Sequence, residues 1–300
     1  MRFLEFISRF RTDYLDIFFR GVSYFGEITV LLPVLCIIYW CVNKSIAYKT
    51  LFSFFISGSF VQGAKIAFRI PRPWVINPDF KPVGSAIETA TGYSFPSGHS
   101  QSASSVFLSF SLRAKNRFIR VFSYIIVALV IFSRMYLGVH TPKDVLVALL
   151  ISTIVVVGIN FFTDNYAFPR STQNVLLFIA ILYSLLLPAY AALLVYWDVS
   201  TWELVADSIV FAASLSGFAI GAYIENRFIN FGTKCIFWWM QIVKIVLGIG
   251  GILGIKYLAN LIPFSEMIQD SIGTFFICLW ITCIFPIFIK LVQKKKYSEL

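Results

Sequence analysis

The sequence is poor in charged residues and contains only two histidines. Asp, Glu, Lys and Arg make up 13% of its 300 residues, whereas soluble domains carry about 25% charged residues. No polar region is long enough to fold as a separate soluble domain. The cysteines lie in or beside apolar runs without zinc-ligand spacing, so we interpret them as small core residues. They are Cys36, Cys41, Cys235, Cys278 and Cys283.

Hydrophobic residues, in contrast, make up 58% of the chain and aromatic residues 18%. Apolar runs of about 20 residues recur, and each is long enough to cross a bilayer as a helix. The pattern predicts an all-α integral membrane protein with about nine transmembrane helices. The predicted spans are residues 25–42, 50–68, 98–113, 120–138, 143–163, 174–197, 205–224, 235–260 and 271–292.

Residues 1–24 differ from these runs because charges alternate with Phe, Ile and Leu. This mixture is typical of an amphipathic helix that lies in the membrane interface. We therefore expect an N-terminal interfacial helix ahead of the first span.

The formal charge of +10 is concentrated in short loops between apolar runs. This placement indicates membrane topology and not nucleic-acid binding, since cytoplasmic loops are enriched in Lys and Arg. The loops 198–207 and 262–270 contain no Lys or Arg and are expected on the opposite side. The C-terminus is then cytoplasmic. The predicted cytoplasmic set is Lys44 and Lys49; Arg113, Lys115, Arg117 and Arg120; Arg170; Arg227 and Lys234; Lys290 and Lys294 to Lys296.

Two segments break this charge rule. Segments 69–97 and 134–142 are expected on the non-cytoplasmic side, yet basic residues lie in or beside both of them. Contact with lipid head groups is one explanation for positive charge on that side. A fixed anion site is the other. The basic residues concerned are Lys65, Arg69, Arg72, Lys81, Arg134 and Lys143.

The same segments contain both histidines and three compact motifs. The first motif runs from Lys65 to Arg72 and Pro73, and the second is Pro-Ser-Gly-His at residues 96–99. The third motif begins at Ser133 and continues through Arg134 and His140 to Asp144.

Phosphoryl transfer requires fixed positive charge around the phosphate oxygens, a nucleophile and an acid for the leaving oxygen. Lys65, Arg72 and Arg134 can supply the charge, and the guanidinium fork suits two phosphate oxygens. Backbone amides at Ser97 and Gly98 can also face an anion because a helix is predicted to begin there.

His140 is the better candidate for the nucleophile because Asp144 follows it by four residues. A carboxylate on one ring nitrogen fixes the tautomer and makes the other nitrogen more basic. His99 has no acidic residue near it in sequence and is therefore the candidate proton donor. Taken singly, Asp144 could be a helix-capping residue with Thr141 and the arginines could contact head groups. Together these residues provide the positive charge, the nucleophile and the acid that phosphoryl transfer requires.

The three motifs resemble those of the type 2 phosphatidic acid phosphatase superfamily, with matching order and spacing over residues 50–165. The resemblance implies a phosphohistidine on His140, His99 as acid and then base, and no metal or cofactor. It also implies that Lys65, Arg72, Ser97, Gly98 and Arg134 bind the phosphate. The nine-span layout resembles that of glucose-6-phosphatase, a member of this family. The expected divisions are an interfacial helix at 1–24, a phosphatase core at 25–173 and C-terminal transmembrane helices at 174–300.

The leading hypothesis is a multi-pass membrane phosphatase that hydrolyses a phosphomonoester or pyrophosphate of a lipid on the non-cytoplasmic face. In a bacterium this would be the plasma or inner membrane. A phosphotransferase or a sugar-phosphate phosphatase could use the same residues. A non-enzymatic transporter or scaffold is a third hypothesis, which the complete set of catalytic residues disfavours.

Overall fold

In the computed structural model, the described residues are 1–165, 170–235 and 237–297. They form helices and connecting turns, with no β-strand in these ranges. Side chains at positions 85, 164–165, 170–171 and 294–297 are not described. The predicted basic positions Arg170 and Lys294 to Lys296 therefore lie outside the described side chains.

Thirteen α-helices follow one another along the described chain, and short 3₁₀ or π turns extend several of them. Helices α3 and α9 contain an internal proline, and both consist mostly of apolar residues. The helices are α1 (Arg2–Ser8), α2 (Asp13–Ser23), α3 (Ile28–Ile37), α4 (Lys44–Phe68), α5 (Pro73–Ile76), α6 (Gly98–Arg113), α7 (Arg117–Tyr136), α8 (Pro142–Asn165), α9 (Arg170–Tyr196), α10 (Trp202–Ile224), α11 (Trp239–Asn260), α12 (Glu266–Leu279) and α13 (Phe285–Tyr297).

The chain divides into two compact units. The first comprises Met1–Leu32, Lys49–Ala167 and Leu194–Asp207. The second comprises Pro33–Tyr48, Phe168–Leu193 and Ser208–Leu300.

Helix α6 is the central helix of the first unit and packs against both α7 and α8. Five of its six serines are buried, and one of them, Ser105, is bonded to a neighbouring helix. Ser105 Oγ lies 2.7 Å from Ser57 Oγ of α4, and Gln101 Nε2 donates to Ser57 Oγ at 2.9 Å. Buried polar groups require such partners. This packing explains why a helix of low hydropathy occupies the middle of a membrane protein.

The N-terminal helices pack onto the end of α7. The ring of Phe19 in α2 lies 4.3 Å from the ring of Tyr136, and the Tyr136 hydroxyl donates to Asp16 Oδ1 at 2.9 Å. Ile7 of α1 belongs to the same buried cluster as Tyr136 and Leu137. The interfacial placement of residues 1–24 stays a prediction, as do the divisions at residues 24 and 173.

In the second unit a buried carboxylate joins three parts of the chain. Glu225 accepts from Lys44 Nζ at 2.5 Å, from the Tyr48 hydroxyl at 2.7 Å and from the Phe231 amide at 3.2 Å. Because each oxygen has a partner, the burial of this charge is compensated. Gly221 of α10 allows close packing against Thr282, since a Cβ at that position would overlap its side chain.

The nine-span layout is not confirmed. Each predicted span overlaps a helix, but seven helices in the described part of the chain are long and apolar enough to cross a membrane. An eighth span results if Asp13–Gly26 and Ile28–Val42, which meet at 47°, form one broken span. Helix α6 has only 16 residues, fewer than the roughly 20 that a span requires. The all-helical membrane architecture itself is confirmed.

Candidate active site

All eight predicted site residues lie in the first unit, at the ends of its helices or in the connections between them. They are Lys65 in the last turn of α4, Arg72 before α5, Ser97, Gly98 and His99 at the start of α6, Arg134 in the last turn of α7, His140 between α7 and α8, and Asp144 in the first turn of α8.

The imidazole of His140 lies between a cation and a carboxylate. Arg72 Nη1 is 3.0 Å from His140 Nε2, and His140 Nδ1 is 3.6 Å from Asp144 Oδ2. A guanidinium has donors only, so Nε2 must accept and carries no proton. The proton of the neutral ring is then on Nδ1, on the side of Asp144. The unprotonated Nε2 is the nitrogen that can attack phosphorus.

Asp144 is held by two hydrogen bonds besides its contact with His140. Its Oδ2 accepts from the Thr141 amide at 2.8 Å, which is the capping contact, and from the Ser94 hydroxyl at 2.6 Å. The carboxylate therefore caps α8 and orients His140 at once. Sequence reasoning missed Ser94, since a serine fifty positions before its partner gives no local pattern.

Arg134 has unused donors. Its Nη1 donates to Ser23 Oγ of α2 at 2.6 Å. Its Nε and Nη2 are buried and have no hydrogen-bond partner among the described residues. The carbonyl of Arg134 accepts from the amides of Val139 and His140 at 3.2 and 3.3 Å. This turn fixes the position of His140 relative to the guanidinium.

Lys65 and Arg72 are bonded to backbone carbonyls of the segment before motif two. Lys65 Nζ donates to Tyr93 O at 3.2 Å, and Arg72 Nε donates to Gly92 O at 3.1 Å. The Tyr93 hydroxyl lies 2.8 Å from Ser200 Oγ, which ties this segment to the start of α10. Gly92 has φ +59°, which glycine adopts without steric cost.

The start of α6 is joined to the start of α8. Ser97 is the N-cap of α6, and its hydroxyl accepts from Ser100 Oγ at 3.0 Å. Its amide donates to the Asp144 carbonyl at 3.0 Å. A Cβ at Gly98 would meet no atom within 4 Å, so the helix start has open space beside it. Such a helix start can receive an anion.

His99 contacts a carboxylate that sequence reasoning missed. Its Nε2 lies 3.5 Å from Glu27 Oε1, in the connection between α2 and α3. The expectation that His99 has no acidic neighbour in sequence was correct, because Glu27 precedes it by more than seventy positions. In space, however, each histidine faces a carboxylate.

Positive charge exceeds negative charge in the buried part of the site. Lys65, Arg72 and Arg134 are 5%, 6% and 1% exposed, and the buried carboxylate among them is Asp144, at 1%. Buried charges are costly unless they are compensated, so this excess favours an anion. Burial and then the charge of Arg72 hold the pKa of His140 well below its ordinary value. His140 is therefore neutral at pH 7.

No group of three or more His, Cys, Asp or Glu side chains that could hold a metal occurs within residues 1–165, 170–235 and 237–297. The expectation of a reaction without metal or cofactor stays a prediction.

Two family models match the chain. A model described as the PAP2 superfamily matches residues 46–167, and one described as the PAP2 superfamily phosphatase transmembrane extension matches residues 209–296. Together they cover more than two thirds of the chain. The chain belongs to the PAP2 superfamily. It is a multi-pass membrane protein of this phosphatase superfamily, and the first model includes all three PAP2 motifs.

Two solved structures are similar in part to this PAP2 chain. The crystal structure of Aquifex aeolicus LpxE is 26% identical, covering 52% of this chain and 91% of that chain, with a TM-score of 0.47. The crystal structure of a transmembrane PAP2-type phosphatidylglycerolphosphate phosphatase from Bacillus subtilis is 22% identical to this chain. It covers 55% of this chain and 84% of that chain, also with a TM-score of 0.47. A search of curated proteins found no match.

Proposed function

We propose that this PAP2 protein is a lipid-phosphate phosphatase that works through a phosphohistidine on His140. The observation that carries the proposal is the position of His140, with Arg72 Nη1 at 3.0 Å from Nε2 and Asp144 at 3.6 Å from Nδ1. This arrangement supports an unprotonated Nε2 beside a group that binds phosphate oxygens.

In the first step, Nε2 of His140 forms a bond to phosphorus and the bond from phosphorus to the leaving oxygen breaks. His99 gives a proton to that oxygen, and the alcohol or phosphorylated product departs. In the second step, His99 removes a proton from water, the resulting hydroxide attacks phosphorus, and the P–N bond breaks. Lys65, Arg72, Arg134 and the start of α6 stabilise the charge on the phosphoryl oxygens throughout.

A lipid substrate is supported by the exposed face of α2. Tyr14, Ile17 and Phe18 are exposed on this helix, while Ser23 at its end is the residue bonded to Arg134. The helix that borders the phosphate site therefore presents apolar side chains outward, as an element beside lipid does. A substrate could diffuse sideways along this face to the site.

A phosphate-release panel with purified protein tests this function. We expect release from at least one lipid phosphate, and loss of at least 10³-fold in kcat/KM in both His140→Ala and His99→Ala. Lys65→Gln removes a buried cation and should weaken activity, whereas Lys81→Gln, at an exposed position, should not. Full activity of His140→Ala would contradict the proposal, and a preference for glucose 6-phosphate would contradict the lipid substrate. The panel comprises phosphatidic acid, phosphatidylglycerol phosphate, undecaprenyl pyrophosphate, lipid A and glucose 6-phosphate.

We also propose that the site faces the non-cytoplasmic side, from the distribution of Lys and Arg among the loops. Right-side-out vesicles should hydrolyse an impermeant short-chain lipid phosphate without detergent. Activity that appears only after the vesicles are opened would place the site on the cytoplasmic face instead.

A further inference from the structure

Glu27 is a mostly buried residue next to His99, the proposed proton donor, and it lies outside the three motifs. Its Oε1 lies 3.5 Å from His99 Nε2, and the side chains of the two residues are 18% and 16% exposed. Thr29 Oγ1 donates to the other carboxylate oxygen at 3.4 Å. The carboxylate is thus held from one side and directed at His99 from the other.

The preceding residue allows this approach. Gly26 ends the 3₁₀ turn after α2, and a Cβ there would lie 2.8 Å from the His99 carbonyl oxygen and 3.0 Å from the His99 Cβ. Only a residue without a side chain lets the chain pass this close to the start of α6. The close packing of Gly26 against the start of α6 therefore fixes the position of Glu27 next to His99.

Glu27 also lines a small cavity of about 10 Å³, and Arg134 belongs to the same lining. Ser23, Tyr24 and Leu137 contribute to the same lining. The carboxylate beside His99 and the guanidinium with unused donors therefore border the same small space.

A proton donor in this site faces an electrostatic difficulty. Lys65, Arg72 and Arg134 already place three positive charges in the buried region, and a protonated His99 would be a fourth. Like charges disfavour the imidazolium, whereas a carboxylate at short distance favours it. Glu27 is the carboxylate that the fold supplies to this ring.

We propose that Glu27 is the positioning residue for His99, which it orients and stabilises as the imidazolium before the proton moves to the leaving oxygen. This inference rests on the proposed function. The two carboxylates then have complementary tasks: Asp144 keeps His140 in the nucleophilic tautomer, and Glu27 keeps His99 able to donate a proton. When the P–O bond breaks, the His99 proton goes to the leaving oxygen and the neutral imidazole is left to accept a proton from water.

The test compares Glu27→Gln on two phosphomonoesters that differ in their need for an acid. An alkyl phosphate requires protonation of its leaving oxygen, whereas nitrophenolate leaves without it. We expect kcat/KM to fall about 100-fold for the alkyl ester and less than tenfold for the nitrophenyl ester. The alkaline limb of the alkyl profile should also move to lower pH, and Glu27→Asp should recover part of the activity. Glu88→Gln, at a side chain that is 77% exposed, is the matched control and should behave as wild type.

An equal loss on both esters would mean that Glu27 only supports the fold, and no loss would mean that His99 works without it; either result overturns the inference. His99→Ala and His140→Ala on the same esters separate this from the proposed function. If His99→Ala discriminates between the esters and Glu27→Gln does not, the inference fails while the function stands. If His140→Ala remains active, or wild type hydrolyses neither ester nor any lipid phosphate, the proposed function itself fails.

Discussion

Asp144→Asn is the substitution that tests the role of the Asp144 carboxylate most selectively. All the contacts of this side chain described above involve Oδ2, which accepts from the Thr141 amide at 2.8 Å and from the Ser94 hydroxyl at 2.6 Å and lies 3.6 Å from His140 Nδ1. An amide oxygen at the same position keeps these contacts and the size of the side chain. The amide carries no negative charge, however, so it no longer stabilises the positively charged imidazole that forms when Nε2 bonds to phosphorus.

The expected loss can be bounded from the geometry. Replacing the orienting carboxylate of a catalytic histidine by an amide lowers kcat by about 10⁴-fold where the two groups are hydrogen-bonded. The separation here is 3.6 Å, longer than a hydrogen bond, so we expect a loss of roughly 10² to 10⁴-fold, or about 2.7 to 5.4 kcal/mol in the barrier.

The assay is kcat/KM for phosphate release, together with thermal unfolding to show that the variant folds. Ser94→Ala is the matched control, because it removes one donor to Asp144 and leaves the carboxylate; its loss should be near tenfold. Asp144→Asn activity within threefold of wild type, at unchanged folding, would refute the role of the Asp144 carboxylate in the reaction.

Three further predictions follow from other parts of the molecule. Burial and Arg72 both disfavour the imidazolium of His140, so the acidic limb of kcat/KM should lie below the ordinary pKa of about 6.5. Arg72→Gln should move that limb to higher pH in the residual activity, and a limb that does not move would contradict this. Gly26→Ala places a methyl group 2.8 Å from a backbone oxygen; kcat/KM should fall tenfold or more, and wild-type kinetics would show that the segment yields freely. Glu225→Gln leaves a lysine without its charged partner and should lower the free energy of unfolding by about 3 kcal/mol, measured by denaturation in detergent, where an unchanged midpoint would be the contrary result.

The residues of the candidate site were accessible from sequence because their chemistry is concentrated in short motifs. The pair of His140 and Asp144 lies within one turn and the helix start that follows. Its local geometry could therefore be anticipated from the spacing and the capping signal at Thr141. Basic residues on the side where few are expected pointed to the same region. Both signals are local in sequence.

The remaining contacts depend on tertiary packing, which the motifs do not encode. Glu27 contacts His99 only because the connection after α2 lies against the start of α6. Ser94 donates to Asp144 although α6 and α7 lie between these two residues in the sequence. The number of spans was also not determined by the sequence pattern. Helix α6 lies at the predicted place, but it has only 16 residues, and its Ser105 is bonded to Ser57 of α4. The charges of the flanking loops, which suggested a span there, do not reveal such packing.

The most direct test of the central claim is to trap the phosphorylated protein. Wild type is mixed rapidly with a ³²P-labelled lipid phosphate, quenched in alkali, which preserves phosphohistidine, and mapped by mass spectrometry. We expect label on His140 and none in His140→Ala. In His99→Ala with a nitrophenyl ester the label should last longer, because the second step then lacks its base. Label on another residue, or steady phosphate release by His140→Ala, would contradict the central claim.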